Sequence, residues 1–503
     1  MNTFLKTYRL ALTPLSPIHI GCGEDFEPTN YVIDEGVLYG FDPSRAELDV
    51  RQRENLSKVS EGTDYLAIQR FFKSNPKPFR LKADVSIPVC AGIKIEYAGL
   101  GQAAKVEKGG KRVINQFFIE RHEYTGADRL PYVPGSSFKG AVRTAILDAE
   151  NKGKKPIAQD HDGRGKLHLE WMEKRLLGGG EFLTSPLRLL KVSDMMPIKS
   201  IQRKILYAVN LKKAPITDRQ GNLRQSGGVT ARKECIHPAQ YRALSADVTL
   251  PLLGAEHVNP NMTPRPALRP TDLLSVGKMV NDYHLPRLEK ELESLNRFVN
   301  PDWSESITKL IGLELKEKLQ SGAVFLVRLG RYGGAESKTL SGQGVAQIKI
   351  MEGKDENNRQ RSSLLSETKT VWLAAEHDQA QAHSLPFGWA LVEVNPETDE
   401  SAIRDWCGNR NDGAAKGRMQ SAGNVAEKPK LEEVVWPSAR IKFNSRNGTL
   451  TAESNGIQAH AIAPQGEALL CTLSASIQTK IRRNEFVKLK AWVVGSDLTK
   501  IEP

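Results

Sequence analysis

The segment at 132–147, YVPGSSFKGAVRTAIL, constrains the fold most strongly, because it joins a turn to an amphipathic helix. A Pro-Gly pair interrupts the preceding structure, and Ser136 or Ser137 can accept hydrogen bonds from the first free amides of a helix. The apolar residues that share one helical stripe are Phe138, Ala141, Val142, Ala145, Ile146 and Ala149. This period predicts a helix over 136–150 whose stripe faces a core.

The start of this helix also carries two cations. Lys139 and Arg143 are four residues apart and therefore share a face away from the apolar stripe. Free amides, two serines and two cations at a helix N-terminus suit a phosphate group. On spacing alone the same residues are more typical of an ordinary capped helix with solvated charges, because capping signals are common and unspecific.

The length and composition indicate a multidomain globular protein. A chain of 503 residues is too long for one core, and none of its stretches reaches the roughly 18 apolar residues of a membrane span. The five cysteines are scattered and odd in number, which argues against a disulfide framework or a zinc site. The N-terminus alternates like a strand and lacks the cleavage pattern of a signal peptide. We therefore expect a cytoplasmic protein.

The net charge of +12 is concentrated in one block. Residues 199–242 contain ten Lys/Arg against Asp218 and Glu234, a local excess of eight. Such a block is typical of a surface that binds a polyanion, nucleic acid first, although a solvated loop is the plainer alternative. The segment GNLRQSGG within it predicts a projecting hairpin, which carries Lys212, Lys213, Arg232 and Lys233.

The mixture of elements predicts an α+β fold with antiparallel sheets over residues 1–397. Residues 398–430 are polar and rich in Gly, Ala and Asn, which is the composition of a linker. Residues 431–503 contain about five strand-like runs, and the Asn-Gly pairs at 447–448 and 455–456 are strong hairpin signals. This last segment predicts a small all-β domain.

A glycine-rich loop, LGRYGGAESKTLSGQG, follows a predicted strand. It lacks the G-K-[ST] ending of a Walker loop and the spacing of a dinucleotide fingerprint, so neither cofactor is expected. Gly333 and Gly334 free the backbone to approach a phosphate chain, Arg331 and Lys338 supply charge, and Tyr332 can stack on a base. A flexible surface loop is the alternative.

His19 stands beside a second glycine segment, which contains Gly21 and Gly23. A histidine there raises the possibility of acid/base catalysis, but no partner is fixed by spacing, and a lone histidine between Ile18 and Ile20 is more often structural. The nearby acids Glu24, Asp25 and Glu27 are more typical of a solvated loop than of a metal site. We predict no metal and no catalytic residue.

Three segments in order resemble the RAMP superfamily of CRISPR effector proteins: TPLSPIHIGCGE, LPYVPGSSFKGAVRTAIL, and LGRYGGAESKTL with the later PFGWALVEV. Within that superfamily, the first two are most similar to subunit five of the type III-A Csm complex. The resemblance covers about residues 1–397. It leaves the linker and the domain at 431–503 unexplained.

The resemblance implies a tandem ferredoxin-like (RRM-like) core in two halves, with the basic hairpin at about 199–242 as an insertion. It also implies a role as the subunit that caps the 3′ end of the CRISPR RNA, beside other Csm subunits, without cutting the target. In backbone subunits of the superfamily a loop aspartate cuts target RNA. Asp25 and Asp34 are the nearest candidates here, but neither aligns with that pattern.

The sequence supports three hypotheses. The first is a non-catalytic RNA-binding subunit that supports CRISPR RNA maturation and antiviral defence, in this complex or as a paralogous subunit of another type III complex. The second is a metal-independent endoribonuclease that uses His19. The third is a platform that recruits a trimming nuclease through residues 431–503. The residues expected at RNA are His19, Gly21, Gly23, Ser136, Ser137, Lys139, Arg143, Lys212, Lys213, Arg232, Lys233, Arg331, Tyr332, Gly333, Gly334 and Lys338.

Overall fold

The computed structural model divides the chain into two compact units, residues 1–414 and 415–503. The structure describes residues 4–502 apart from 63, 101–104, 107–111, 114–115, 127, 179–181, 199, 218–222, 225–226, 254–258, 260–261, 266–267, 355–357, 398, 411–433, 445–448, 455–456, 462–464, 484, 486 and 495–496. Within these residues it combines helices with mainly antiparallel sheets, as the composition of elements predicted, although one described strand pair in each unit is parallel.

Most strands of the first unit belong to two six-stranded sheets. The strands are β1 (Leu5–Pro14), β2 (Gly21–Phe26), β3 (Tyr31–Asp34), β4 (Val37–Gly40), β5 (Val85–Pro88), β6 (Lys105–Val106), β7 (Arg112–Val113), β8 (Ile119–His122), β9 (Lys191–Val192), β10 (Met196–Pro197), β11 (Arg203–Lys212), β12 (Ile216–Thr217), β13 (Leu223–Arg224), β14 (Gly227–Ile236), β15 (Leu244–Pro251), β16 (Val324–Arg328), β17 (Ile348–Lys354), β18 (Gln360–Leu365), β19 (Thr370–Ala375), β20 (Leu385–Pro386) and β21 (Trp389–Val394). The first sheet has the order β10-β15-β1-β21-β16, with β9 also on β15. The second has the order β2-β8-β14-β11-β19-β20.

The first unit also contains helices. They are α1 (Val50–Glu61), α2 (Tyr65–Ser74), α3 (Pro76–Leu81), α4 (Ala91–Ala98), α5 (Gly135–Asn151), α6 (Leu169–Leu176), α7 (Leu273–Ser294), α8 (Pro301–Lys309), α9 (Lys316–Ser321) and α10 (401–410). A π-helical segment, Leu310–Glu314, joins α8 to the turn before α9. Smaller sheets pair β3-β4-β5, β6-β7, β12-β13 and β17-β18.

The predicted apolar stripe of α5 lies in the core, which confirms that part of the sequence analysis. Phe138, Val142 and Ala145 are buried with residues of the first sheet and of α7. Strand β1 lies between β15 and β21, and its inward residues Leu10 and Leu12 join the same cluster. The helix and the sheet therefore bury a common apolar layer, which fixes the position of the helix start. The finer assignment of two ferredoxin-like halves remains a prediction.

The basic segment does not project from the protein over most of its length. Strands β11 and β14 pair antiparallel and lie in the middle of the second sheet. Residues 205–209 of β11 are all apolar and all buried in the core, so both faces of this strand are covered. The base of the hairpin therefore belongs to a buried sheet. Residues 221–222 and 225–226 of the segment GNLRQSGG lie outside the described residues, so the projection of its tip stays a prediction.

Ordered structure continues into the segment predicted as a linker. Residues 401–410 form α10, and its residues Ile403, Trp406 and Cys407 are buried in the core of the first unit. The Trp406 indole nitrogen donates to the Ser306 hydroxyl at 3.1 Å. The segment was predicted as a linker because its overall composition is polar, although these three residues form an apolar stripe. The remainder of the predicted linker, from 411 on, lies outside the described residues.

The second unit is a closed barrel of five strands with two short helices. The strands are β22 (Val434–Asn444), β23 (Thr449–Ser454), β24 (Ile457–Ala461), β25 (Val487–Val494) and β26 (Asp497–Glu502), and the helices are α11 (Gln465–Cys471) and α12 (Ala475–Arg482). The helices differ from the all-β domain that the sequence predicted. Leu470 and Ile481 pack them onto the barrel interior. The two Asn-Gly dipeptides lie outside the described residues. The two strands that flank each dipeptide are hydrogen-bonded to each other.

None of the helices in the described part of the chain is both long enough and apolar enough to cross a membrane.

Candidate nucleic-acid interface

The two glycine segments lie against each other. The Arg331 backbone amide donates to the His19 carbonyl at 3.0 Å. Gly330 has φ +78°, and a Cβ there would lie 2.2 Å from the same carbonyl oxygen. The loop can therefore reach the N-terminal segment only because residue 330 has no side chain.

The start of α5 reaches the same place through a short relay of backbone hydrogen bonds. Glu123 donates its amide to the Ile20 carbonyl at 2.7 Å, and Tyr132 donates to the Glu123 carbonyl at 3.2 Å. At the far end of α5, the Asn151 side chain donates to the Ser341 carbonyl at 3.1 Å. The glycine-rich loop thus runs from the N-terminal segment to the last turn of α5, and the three sequence motifs converge.

Glu120 on β8 lies at the centre of a charged cluster beneath the loop. Its carboxylate pairs with Lys233, lies 3.1 Å from Arg331 Nη1 and lies 3.6 Å from His19 Nε2. The contacts with His19 and Lys233 hold the pKa of the Glu120 carboxyl at about 2, against the opposing effect of burial. Lys233 is 1% exposed, whereas the Arg331 side chain is 63% exposed. Arg331 is therefore the member of the cluster that faces solvent.

His19 is fully buried, with 0% of its surface exposed. Its Nδ1 lies 2.7 Å from the Glu234 carbonyl oxygen, and among the described residues its Nε2 has no hydrogen-bond partner. A general base must reach the proton it removes within about 3 Å, directly or through one water. The burial of His19 and its contact with a backbone carbonyl are those of a structural histidine that supports the loop.

Tyr332 follows the loop arginine in a left-handed conformation, with φ +68°. Its ring lies 5.0 Å from that of Trp372 and 5.3 Å from that of Phe387, measured between centroids. Lys233 Nζ lies 5.2 Å from the Tyr332 ring. The tyrosine is half-buried, so one side of the ring is packed and part of it borders a cavity beside the loop.

The glycine-rich loop forms one wall of this cavity, whose volume is about 590 Å³. The cavity combines the loop backbone, aromatic rings and cations. The charged and aromatic residues that line it include Lys213, Arg287, Tyr332, Glu336, Lys338 and Trp372. Glycine backbone, stacked rings and positive charge are the features that hold a single strand of nucleic acid.

Glu336 fixes the loop at the edge of this cavity. Lys213 Nζ donates to its carboxylate at 2.8 Å, and the Thr368 amide and hydroxyl donate at 2.8 and 2.6 Å. Burial alone raises the pKa of the Glu336 carboxyl, but these hydrogen bonds outweigh it and hold the pKa at about 2. Lys213 is therefore engaged in an ion pair within the protein. Lys338 lies on the same short helical turn as Glu336, and its side chain is exposed.

Arg287 on α7 ties down the other side of the loop. Its guanidinium donates to the carbonyl oxygens of Glu336 and Thr339 at 3.1 and 3.2 Å, and to the Ser341 hydroxyl at 3.2 Å. A planar guanidinium suits several such acceptors at once. The sequence analysis missed this residue, because a single arginine within a helix gives no signal of its partners.

The start of α5 differs from the prediction. Pro134 occupies the cap position, and neither Ser136 nor Ser137 makes a capping hydrogen bond. Instead the Gly135 amide donates to the Asp194 carboxylate at 2.7 Å. A Cβ at Gly135 would lie 2.6 Å from the Ser193 carbonyl oxygen, so only glycine allows this approach. The anion at this helix terminus belongs to the protein, which removes the argument for a phosphate there.

The two cations of α5 have different surroundings. Arg143 is paired with Glu173 on α6, with its Nε 2.8 Å from the carboxylate. Among the described residues Lys139 has no acidic partner, and partial burial lowers its pKa. The expectation that both cations face one phosphate chain is therefore corrected: Lys139 remains available and Arg143 holds two helices together.

The basic residues of the hairpin also serve the fold. Arg232 donates from Nε to the Glu96 carboxylate at 2.9 Å, and its guanidinium carbon lies 3.8 Å from the Phe117 ring centroid. Lys233 is buried against Glu120, whereas Lys212 is exposed at the end of β11. The charge excess of the block is thus largely neutralised by acids that are distant in sequence, which no local pattern reveals.

The remaining glycines of the N-terminal segment differ in their surroundings. A Cβ at Gly21 would lie 3.5 Å from His19 Nε2 and 3.6 Å from Arg331 Nη1. Gly23 has φ +86° with open space around it. Gly21 therefore belongs to the cluster at Glu120, and Gly23 lies beside it on the surface.

Comparison with known proteins identifies relatives over part of the chain. Residues 11–320 match the family model of the RAMP superfamily. A Csm5 protein of the CRISPR system of Methanocaldococcus jannaschii is 30% identical over 135 residues, which cover 26% of this chain and 28% of that protein. The Csm5 protein of Streptococcus thermophilus is 25% identical over 207 residues, which cover 39% of this chain and 54% of that protein. The chain thus matches about half or less of the length of these relatives.

Among solved structures, a chain of a Csm–crRNA–target RNA ternary complex of a type III-A CRISPR-Cas system, determined by cryo-EM, is similar to this protein. It is 18% identical, with a TM-score of 0.46, and the match covers 77% of this chain and 100% of that chain.

Proposed function

This chain belongs to the RAMP superfamily, and on that premise we propose that it is a non-catalytic RNA-binding subunit of a type III-A CRISPR complex. Its place in that complex is the 3′ end of the CRISPR RNA, beside other Csm subunits in the cytoplasm. There it supports maturation of the CRISPR RNA and antiviral defence. The names of the Csm5 relatives support the choice of subunit.

One observation carries the proposal: the glycine-rich loop, held by His19 on one side and Arg287 on the other, lines a cavity with aromatic rings and cations. The exposed Arg331 and Lys338 supply charge at the loop, and Tyr332 with Trp372 supplies ring surface. Such an arrangement binds a single strand mainly through its phosphates, so the affinity falls with salt.

The burial of His19 supports a binding role over an endoribonuclease role. Asp34, one of the two aspartates nearest in sequence to a slicing position, is engaged by Arg80 at 2.7 Å. The second of these aspartates is Asp25. Its burial, and to a smaller extent the nearby charge of Glu120, raises the pKa of its carboxyl. Incubation of the purified protein with repeat RNA tests this part: cleavage that disappears in His19→Ala would overturn it, whereas intact RNA agrees with it.

The role of the RNA contacts is tested in the assembled complex. Arg331→Ala with Lys338→Ala should weaken retention of CRISPR RNA and lower the slope of log affinity against log salt by about 1.4, since each phosphate contact with a single strand contributes about 0.7. Arg53→Ala with Lys58→Ala on the exposed face of α1 is the control of equal charge. An unchanged slope in the loop variant would refute this assignment.

The contact with a trimming nuclease is the least constrained part of the proposal. If the second unit recruits such an enzyme, deletion of residues 431–503 changes the length of the CRISPR RNA 3′ end while the complex still assembles. Ends of normal length after this deletion would exclude the recruiting role.

A further inference from the structure

The strand connections of the second unit are those of an OB-fold. β22, β23 and β24 form an antiparallel meander, α11 and α12 follow, and β25 and β26 form a hairpin. The barrel closes because β24 pairs parallel with β26 and β22 pairs antiparallel with β25. OB-folds commonly bind oligonucleotides or oligosaccharides through the face of their second and third strands. A fold alone does not assign a ligand, so the surface must decide.

The usual binding face of such a barrel carries little charge here. The outward residues described on β23 and β24 are Thr449, Thr451, Glu453, Gln458 and His460. These described positions include no lysine, arginine, phenylalanine, tyrosine or tryptophan. Thr451 and His460 contact each other across the strands at 3.0 Å. This face lacks both the cations and the large rings that single-stranded nucleic acid requires.

The opposite face, formed by β22, β25 and β26, has both features. Alternate residues of β25 line the barrel core, and those between them point outward. The outward basic and aromatic residues described on this face include Arg440, Lys442, Lys488, Lys490, Trp492 and Lys500. Glu453 lies 3.0 Å from Lys442 and Glu502 lies 2.6 Å from Lys500, so two acids offset two of these five cations and the set keeps a net positive charge.

The cations of this face lie close to one another and to an acid. Arg440 is directly opposite Lys488 on β25 and opposite Glu453 on β23. Lys490 Nζ and Lys500 Nζ each lie 4.7 Å from the ring of Trp492, which is half-buried. A partly exposed indole with two cations beside it is therefore the feature of this face that suits single-stranded nucleic acid.

We propose that this basic face of the barrel binds single-stranded nucleic acid, with Lys490 and Lys500 at phosphates and a base stacked on Trp492. The lysine ammonium groups sit on flexible stems and can move from the ring to a phosphate while a base takes their place. The chain then has two nucleic-acid surfaces, one in the RAMP core and one in the barrel, and the second does not depend on the proposed function of the first.

Crosslinking with peptide mapping separates the two surfaces in the full-length protein. An oligonucleotide of about 12 nucleotides carrying 4-thiouridine, or a DNA oligonucleotide of the same length carrying 4-thiothymidine, is irradiated with the protein at increasing concentration. We expect saturable crosslinks in the peptides of β25 and β26. The oligonucleotide that saturates these peptides at lower concentration identifies the sugar that the barrel prefers. No crosslink in these peptides, with either oligonucleotide, would overturn the proposal.

Substitutions then test the named residues. Lys490→Gln with Lys500→Gln, which keeps the aliphatic stems, should weaken the barrel crosslinks at least about fivefold and lower their salt slope by about 1.4. Trp492→Ala should weaken them at least about fivefold, and Trp492→Phe should restore them, since stacking is worth about 1–3 kcal/mol per base. Lys480→Gln with Arg483→Gln, exposed at the end of α12, is the charge control.

The outcomes distinguish this inference from the proposed function. Equal loss in the control and in the lysine pair would mean that only overall charge matters, and would refute the assigned face. Barrel crosslinks that survive Arg331→Ala with Lys338→Ala, while those of the glycine-rich loop disappear, show the two surfaces acting separately. Loop peptides that never crosslink, beside barrel peptides that do, would refute the proposed function and leave this inference standing.

Discussion

The close approach of the glycine-rich loop to the N-terminal segment is testable at Gly330. A Cβ at this position would lie 2.2 Å from the His19 carbonyl oxygen, on a backbone with φ +78°. The left-handed conformation costs a non-glycine residue about 1–2 kcal/mol, and forcing the two segments apart adds about 1–3 kcal/mol. The lower entropy of an unfolded chain with alanine returns about 0.4–1 kcal/mol. Gly330→Ala should therefore destabilise the first unit by roughly 1–5 kcal/mol.

Gly23 is the matched control, because it has a similar φ of +86° but open space around its Cα. Gly23→Ala should cost only the difference between backbone strain and unfolded-state entropy, about 0–1.6 kcal/mol, which is about 1–3 kcal/mol less than Gly330→Ala. Urea denaturation followed by circular dichroism measures both, with the transition of the first unit used for comparison. Equal effects of the two substitutions would refute the claim that contact with His19, rather than φ, is what requires glycine at 330.

Two further substitutions test the acids of the interface. Glu120→Gln should remove part of the acid sensitivity of folding: the carboxyl has a pKa of about 2 in the fold and an ordinary value near 4.5 when unfolded, so its stabilisation is present above pH 4.5 and is lost as pH falls towards 2. Urea titrations between these pH values detect it, and an unchanged pH profile contradicts it. Asp194→Ala should cost about 0.5–2 kcal/mol through the lost contact with the Gly135 amide, whereas Ser137→Ala, a change at a serine without a capping bond, should be nearly neutral in the same assay.

Local periodicity was enough to place α5 and its core face. Phe138, Val142 and Ala145 are buried as their spacing predicts, because a stripe at helical period can be satisfied only by a facing core. The cap was predicted wrongly, since the acceptor Asp194 comes from a turn about 60 residues away that no local pattern connects to Gly135.

The acidic partners of the cations could not be predicted either, because they too are distant in sequence. Arg143, Arg232 and Lys233 each read as solvent-facing charges in isolation, yet their acids are brought to them by sheet pairing and helix packing. The order of the three motifs along the chain was informative because folding does not change it. Their convergence at Ile20 and Gly330 depends on backbone hydrogen bonds that are formed only in the complete fold.

The glycine-rich loop is fastened at both ends, by His19 at the start and by the last turn of α5 at the end, with Glu336 held between them. The entropy cost of ordering this loop is therefore part of the free energy of folding and not of the free energy of binding. On the proposed function, an RNA strand that enters the cavity would meet a loop that is already fixed, so less of the contact energy would be spent on ordering the loop. The encounter should then show little dependence on loop rearrangement, and its rate should be governed by electrostatic attraction and its sensitivity to salt.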